Sequence, residues 1–80
     1  MRVLVIDGQG GKVGAQFVSG IRERLPGARV TAVGTNAMAA AALRKAGADA
    51  AATGENAVIV ACRTADVIVG PVGIVIADAM

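Results

Sequence analysis

The 80-residue sequence contains no histidine, tryptophan or tyrosine, one phenylalanine and one cysteine. The lone cysteine, Cys62, excludes an intramolecular disulfide framework, and the lack of histidine excludes the common zinc sites. One aromatic residue, Phe17, is too few for the stacking platforms that bind single-stranded nucleic acids. The net charge of +2 is too weak to favour DNA or an anionic membrane surface. The composition therefore predicts no metal site, no nucleic-acid partner and no membrane partner.

Long apolar segments are also lacking. No run approaches the roughly 18–20 apolar residues that a helix needs to cross a bilayer. The apolar stretch at the N-terminus meets an acid at Asp7, which is too early for a signal peptide. We therefore expect a cytoplasmic protein.

Small apolar residues dominate what is present. Apolar residues make up 55% of the chain, with eighteen alanines and twelve valines, and charged residues make up only 18%. This composition argues against disorder and predicts one small folded domain over residues 1–80. Small side chains bury little area each, so a homo-oligomer is a candidate route to stability.

Hydrophobic patterning predicts alternating strands and helices. Short β-branched runs that end at glycine predict strands, and longer runs of helix formers predict helices. The predicted strands are Arg2–Asp7, Arg29–Val33, Ala48–Ala52 and Asp66–Gly70, and the predicted helices are Lys12–Leu25, Ala37–Ala46 and a segment from Thr53 to Cys62. Pro71–Met80 fits either element and is predicted as helix. Such alternation indicates parallel strands joined by right-handed crossovers, a Rossmann-like α/β domain with a parallel sheet of about four strands.

Apolar stripes on two of these helices are expected to face the core. In the first helix the stripe is Val13, Phe17, Ile21 and Leu25, and in the third it is Val58, Ile59 and Cys62. Thr53 is the expected N-cap of the third helix. Cys62 is interpreted as an inert core residue, because a nucleophilic cysteine needs a nearby base and the chain has no histidine.

A glycine-rich loop between the first strand and the first helix carries the clearest functional signal. It reads Gly8-Gln9-Gly10-Gly11-Lys12-Val13-Gly14. Glycine tolerates tight turns and lets a pyrophosphate approach the backbone, and the following helix directs its free N–H groups at the anion. We therefore predict that Gly8, Gln9, Gly10, Gly11, Lys12 and Gly14 bind the phosphate of a nucleotide, with a tight turn that binds no ligand as the alternative.

The identity of the nucleotide stays open. The loop departs from the strict G-x-G-x-x-G pattern, although Gly8, Gly11 and Gly14 have a spacing similar to that of extended short-chain dehydrogenases and related epimerases. NAD-binding folds usually place an acid after the second strand, where this chain has Thr35 and Asn36. These two residues are candidate contacts to a ribose or a 2′-phosphate, so NAD(P) or another nucleotide remains the predicted cofactor. Asn36 is also a good helix N-cap.

Other polar residues are expected at the same edge of the sheet, because ligands of open parallel sheets bind outside the carboxyl ends of the strands. Candidate substrate contacts there are Asp7, Thr53, Glu55, Asn56 and Pro71. Asp7 has a simpler interpretation, in which its carboxylate accepts backbone N–H groups of the turn. No set of residues assembles a reaction mechanism, so catalysis stays open.

Two other functions compete with ligand binding. One is an interaction or regulatory module without a nucleotide, and the other is an apolar assembly subunit. A two-component receiver is a weak version of the first, because receivers need paired acids and an acceptor aspartate after the third strand, where this chain has Ala52 and Thr53.

Four strings, taken in order, carry a family resemblance. They are Val5-Ile6-Asp7-Gly8-Gln9-Gly10-Gly11, Ala32-Val33-Gly34-Thr35-Asn36, Ala52-Thr53-Gly54-Glu55-Asn56-Ala57 and Gly70-Pro71-Val72-Gly73-Ile74. Together they resemble a bacterial family named domain of unknown function three-eight-four-two. The resemblance implies a Rossmann-like α/β protein, and it supplies no catalytic residues. It also implies that members continue past residue 80, so we expect this chain to be part of a longer domain. Members usually have a small residue at the position of Lys12, so the resemblance makes Lys12 a weaker candidate for a ligand contact.

Overall fold

The computed structural model describes residues 1–8, 10–71 and 73–76. Its strands are β1 (Arg2–Asp7), β2 (Arg29–Gly34), β3 (Ala50–Thr53), β4 (Val67–Gly70) and β5 (Gly73–Ile76), and its helices are α1 (Lys12–Arg24), α2 (Ala37–Lys45) and α3 (Glu55–Cys62). The predicted alternation of strands and helices is confirmed through β4, with ends that differ by one or two residues.

The five strands form one sheet in the order β3-β2-β1-β4-β5. The pairs β1–β2, β2–β3 and β1–β4 are parallel. The chain moves outward from β1 to β2 and β3, and then crosses back to β4 on the other side of β1. Strand order therefore reverses at β1, which makes the carboxyl ends of β1 and its neighbours the place where such folds bind ligands. This architecture is compatible with a Rossmann-like fold.

Apolar side chains cover both faces of the sheet, as parallel sheets require. On one face α1 and α2 cover a cluster that contains Val3, Val5, Val18, Val30, Ala32 and Leu43. On the other face α3 covers Leu4, Val33 and Ala65, with Ala57, Val58, Ala61 and Cys62 packed against them. The expected placement of Cys62 against the core is confirmed.

The segment after β4 corrects the predicted helix over Pro71–Met80. Gly73–Ile76 is a strand, β5, which pairs antiparallel with β4 so that Gly70 lies opposite Gly73. Gly73 has φ 134°, a conformation that glycine accepts and β-branched residues do not, so this first residue of β5 needs to be glycine. Val72 and residues 77–80 lie outside the described residues. Within the described residues the sheet has five strands: the four predicted strands are confirmed, and β5 is an addition.

The stripe predicted for α1 is wrong in its rotation about the helix axis. Val13, Phe17 and Leu25 are 54%, 43% and 46% exposed, whereas Gly14 and Val18 are buried. Gly14 faces the sheet, in a space where a side chain would not fit, as described below. The helix therefore presents Gly14, Val18 and Ile21 to the core and leaves Val13 and Phe17 outside it.

Two predictions for α3 are also wrong. Its N-cap is Gly54, which makes no side-chain hydrogen bond, rather than Thr53. Ile59 is 54% exposed, so the inward face is that of Val58, Ala61 and Cys62. This short helix carries apolar residues on all of its sides, so its sequence does not distinguish the buried face from the exposed one.

Two aspartates join neighbouring strands at the amino-terminal edge of the sheet. The backbone N–H of Val30 donates to Oδ2 of Asp49 (2.7 Å), and the N–H of Arg2 donates to Oδ2 of Asp66 (2.7 Å). Each aspartate N–H donates in return to the carbonyl of the same residue. Arg22 of α1 forms an ion pair with Asp49. This edge is therefore held by polar contacts within the protein itself.

Among the helices of the described residues, none has the length and apolarity that a bilayer crossing requires.

Candidate functional site

The loop between β1 and α1 brings the helix N-terminus to the carboxyl edge of the sheet. The N-cap of α1 is Gly11, with φ 94° and no side-chain cap. A Cβ at Gly11 would lie 3.0 Å from Cα of Ala39 and 3.1 Å from its carbonyl oxygen. Gly11 is therefore required by its backbone conformation and by its contact with α2, whether or not a ligand binds.

Gly14 and Asp7 form the inner wall of the loop. The N–H of Gly14 donates to Oδ2 of Asp7 (3.1 Å), and Asp7 is only 4% exposed. A Cβ at Gly14 would lie 2.6 Å from that oxygen and 2.7 Å from Cδ2 of Leu43. Asp7 thus accepts a backbone N–H of the turn, as one interpretation of the sequence expected, and Gly14 permits the close packing of α1 on β1.

Gly8 and Gly10 differ from the other two loop glycines. A Cβ at Gly8 would make an ordinary contact of 3.5 Å with Cγ of Pro71, and a Cβ at Gly10 would meet no atom within 4 Å. Among the described residues, the glycines with a positive φ are Gly11, Gly47, Gly54 and Gly73. Packing within the described residues therefore does not require glycine at Gly8 or Gly10.

Two depressions flank the end of β1. The first, called here the β1–β2 depression, has a volume of about 310 Å³ and is lined by Ile6, Asp7, Gly8, Val33, Gly34, Thr35, Gly54, Glu55 and Val58. The second, the β1–β4 depression, has a volume of about 360 Å³ and is lined by Ile6, Asp7, Gly8, Val13, Gly14, Phe17, Val69, Gly70, Pro71 and Gly73. Asp7 and Gly8 line both, so the end of β1 is the wall between them.

The predicted site residues divide into three groups. Asp7, Gly8, Thr35 and Glu55 meet in the β1–β2 depression. Gly14 and Pro71 join Asp7 and Gly8 in the β1–β4 depression. Gly10, Gly11, Lys12, Asn36, Thr53 and Asn56 line neither, and Gln9 lies outside the described residues.

Asn36 has a structural role. Its Oδ1 accepts the N–H of Ala39 (2.8 Å) at the start of α2, and its backbone is extended, as is usual for an N-cap. The N-cap interpretation of Asn36 is therefore confirmed. Its neighbour Thr35 is exposed at the end of β2 and lines the β1–β2 depression.

The electrostatics of this edge are mixed. The first turn of α1 contains no acid, and Lys12 is exposed there, so the positive end of the helix dipole remains open to an anion on the outer side of the loop. On the inner side, the Asp7 carboxylate already occupies the N–H of Gly14. Glu55, in the first turn of α3, adds a second carboxylate to the β1–β2 depression. This edge therefore carries an exposed cation at the start of α1 and carboxylates at the end of β1 and the start of α3.

In the described part of the chain, no three His, Cys, Asp or Glu residues lie close enough together to hold a metal ion.

The sequence interpretation missed the apolar wall of the β1–β4 depression. Val13 and Phe17 line it, although they were expected in the core. The sequence did contain a signal for this placement, namely Gly14, because a glycine that packs on a strand must face that strand. Gly14 therefore fixes Val18 and Ile21 as the inward positions, one and two turns further on, and turns Val13 and Phe17 outward.

Residues 2–80 match one family model, described as Domain of unknown function (DUF3842). No curated protein and no solved structure matches the chain. The match spans β1 to β5 and all of the strand-end turns that form the two depressions, so the family expected from the four strings is confirmed.

Proposed function

The chain belongs to the family described as Domain of unknown function (DUF3842), and because that description names no activity we propose a function from the site itself. We propose that the loop at Gly8–Gly14 and the β1–β2 depression bind a small phosphate-bearing molecule of the nucleotide class. NAD(P) is one member of that class.

The phosphate is assigned to the outer side of the loop. The first N–H groups of an α-helix have no partner within the helix, and in α1 the N–H of Gly14 is taken by Asp7. Within the described residues, the N–H groups of Lys12 and Val13 are the other donors of the first turn. A Cβ at Gly10 would meet no atom within 4 Å, so we assign the approach of the anion to that side of the loop, where Lys12 adds a positive charge.

The sugar and the base are assigned to the depression. Carboxylate and hydroxyl groups bind sugar hydroxyls well, and Glu55 and Thr35 offer one of each at its rim. Apolar side chains of Ile6, Val33 and Val58 suit the flat face of a base. The depression's volume of about 310 Å³ is at the lower end of the usual range for small-molecule sites.

The observation that carries this proposal is a convergence. Three segments that are far apart in sequence, Asp7–Gly8, Gly34–Thr35 and Gly54–Glu55, line one depression. Each directly follows or ends a parallel strand, and Gly8 belongs to the loop that leads into α1. That combination is typical of ligand sites in open α/β sheets.

Thermal unfolding with NAD(H), NADP(H), ATP and S-adenosylmethionine tests the proposal. At a hundred times its Kd, a bound ligand stabilises the folded state by about 2.7 kcal/mol, which for a domain of this size raises Tm by roughly 10–20 °C. We expect at least one of these ligands to produce such a rise. Failure of all four, at millimolar concentrations, would contradict the proposal.

Gly10→Val is the matching variant, because a Cβ at Gly10 would meet no atom within 4 Å. We expect it to abolish the ligand-induced rise in Tm while leaving the unliganded Tm nearly unchanged. Gly11 is unsuitable for this purpose, since a side chain there would strain the fold itself. Gly27→Val is the control: Gly27 is equally open but lies before β2, at the opposite edge of the sheet. A rise that survives in Gly10→Val would place the ligand elsewhere.

A further inference from the structure

The β4–β5 end of the sheet carries a bare apolar surface on the α1 side. Ile74 lies opposite Val69 and Ile76 opposite Val67; Val69 belongs to the cluster under α1 and α2, and Val67 packs against that cluster. Ile74 and Ile76 therefore lie on that same face of the sheet. Both are largely exposed, at 65% and 59%. No helix packs extensively on β5 in the described part of the chain.

Helix α1 borders this surface with apolar side chains of its own. Val13 and Phe17 line the β1–β4 depression together with Val69 and Gly73. They project from α1 towards the uncovered strands rather than into the core. The docking face is defined here as Val13, Phe17, Ile74 and Ile76, and it contains no charged residue.

We propose that a second copy of this chain covers the docking face, with α1 of each copy seated on β4–β5 of the other. The arrangement is a two-fold symmetric dimer in which each copy supplies one helix and one bare strand face. A two-fold contact requires a surface that is complementary to itself. The docking face meets that condition because it contains both an outward apolar helix stripe and an uncovered sheet face.

The spacing of the two halves agrees with this contact. Val13 and Phe17 are four residues apart on a helix, which is about 6 Å along its axis. Ile74 and Ile76 are two residues apart on a strand, which is about 6.7 Å. Val13 and Ile74 are both near the carboxyl edge of the sheet, so Val13 of one copy falls beside the partner's Ile74, and Phe17 beside the partner's Ile76.

The area is also appropriate. At exposures between 43% and 65%, the four side chains of the docking face offer on the order of 400 Å² of apolar surface per copy. A standard interface buries about 800 Å² per partner, and a little over half of that is apolar. The docking face thus supplies nearly all the apolar area that a stable dimer needs.

Sedimentation velocity of the whole chain, from micromolar to millimolar concentration, measures the association. We expect the wild-type chain to form a dimer. Val13→Glu and Ile74→Lys each bury two unpaired charges per dimer, so each should weaken self-association at least roughly a hundredfold. Met38→Lys is the control, because Met38 is 84% exposed on α2, away from the docking face, and its dimer should be unchanged.

Both test variants are expected to fold. An acid in the first turn of α1 is favoured by the helix dipole, and Ile74 is exposed on an edge strand. Circular dichroism and thermal unfolding of the monomers check this directly. A wild-type chain that stays monomeric at every concentration would overturn the proposal, as would a dimer that persists in both variants.

Mixing the two variants tests the helix-on-strand contact itself. In a mixed dimer one contact pairs the two introduced charges, which are of opposite sign, and the other contact is native. We therefore expect an equimolar mixture to form a dimer although each variant alone is a monomer. A strand-to-strand pairing of two β5 edges would not place these positions together. A mixture that remains monomeric would overturn the proposed contact.

Discussion

At the scale of single residues, Asp49 and Asp66 perform the same task at two places. Each precedes a strand and exchanges two hydrogen bonds with one residue of a neighbouring strand, Val30 for Asp49 and Arg2 for Asp66. The N–H of Val30 lowers the pKa of Asp49 below its ordinary value, and the nearby Arg22 guanidinium lowers it further. The ionised carboxylate is therefore the form that the folded state prefers.

This preference predicts how stability depends on pH. Because the pKa of Asp49 is lower in the folded chain than in the unfolded one, its stabilising contribution is complete above the unfolded pKa, near 4. It is lost as the pH falls through the lower folded pKa. Urea unfolding between pH 2 and pH 7 should show a fall in stability at acidic pH that is smaller in Asp49→Asn. Glu23→Gln, at an exposed position on α1, is the control and should retain the wild-type profile.

At the scale of elements, local patterns predicted what depends on local chemistry. Strand and helix order followed from apolar runs, glycines and the Asn36 cap, and these are properties of short segments. The rotation of α1 was predicted wrongly because Val13, Phe17, Ile21 and Leu25 form a regular stripe, whereas the fold selects the face that carries Gly14. That choice depends on the space between α1, β1 and Leu43, which is a tertiary property.

The same distinction between local patterns and tertiary contacts applies to strand β5 and to the candidate site. Ile74-Val75-Ile76 fits a helix or a strand, and pairing with β4 decides for the strand. The convergence of Asp7, Thr35 and Glu55 followed from the rule that parallel strands end at one edge. The sequence did not predict that Phe17 lines the β1–β4 depression, because the predicted inward face of α1 was wrong.

Alanine substitutions at two glycines of α1 are expected to change the stability of the protein in opposite directions. A Cβ at Gly20 meets no atom within 4 Å, so Gly20→Ala should stabilise the protein by up to about 1 kcal/mol through helix propensity. Gly14→Ala makes the same chemical change but forces a methyl group against Asp7 and Leu43, and we expect it to destabilise by roughly 1–3 kcal/mol. Urea unfolding of both variants measures the difference. Equal effects would show that the packing described for Gly14 is wrong.

At the scale of the whole molecule, the two edges of the sheet have different characters. The amino-terminal edge carries the paired contacts of Asp49 and Asp66, and the carboxyl edge holds the β1–β2 and β1–β4 depressions. Substitutions at one edge, such as Gly27→Val, are expected to leave the other intact.

Val13 belongs to both proposed contacts at once, because its side chain lies on the docking face and its N–H lies in the first turn of α1. A partner that holds the side chain also steadies the helix end that meets the phosphate, so each binding event lowers the entropy cost of the other. Such coupling is reciprocal: a saturating nucleotide should tighten the dimer by the same factor by which dimer formation tightens the nucleotide. Sedimentation with and without the ligand measures the first factor, and an unchanged dimer Kd would mean that the two contacts are independent. If both proposed contacts form, the concentration of the protein, by setting the fraction of dimer, also sets the affinity for the nucleotide.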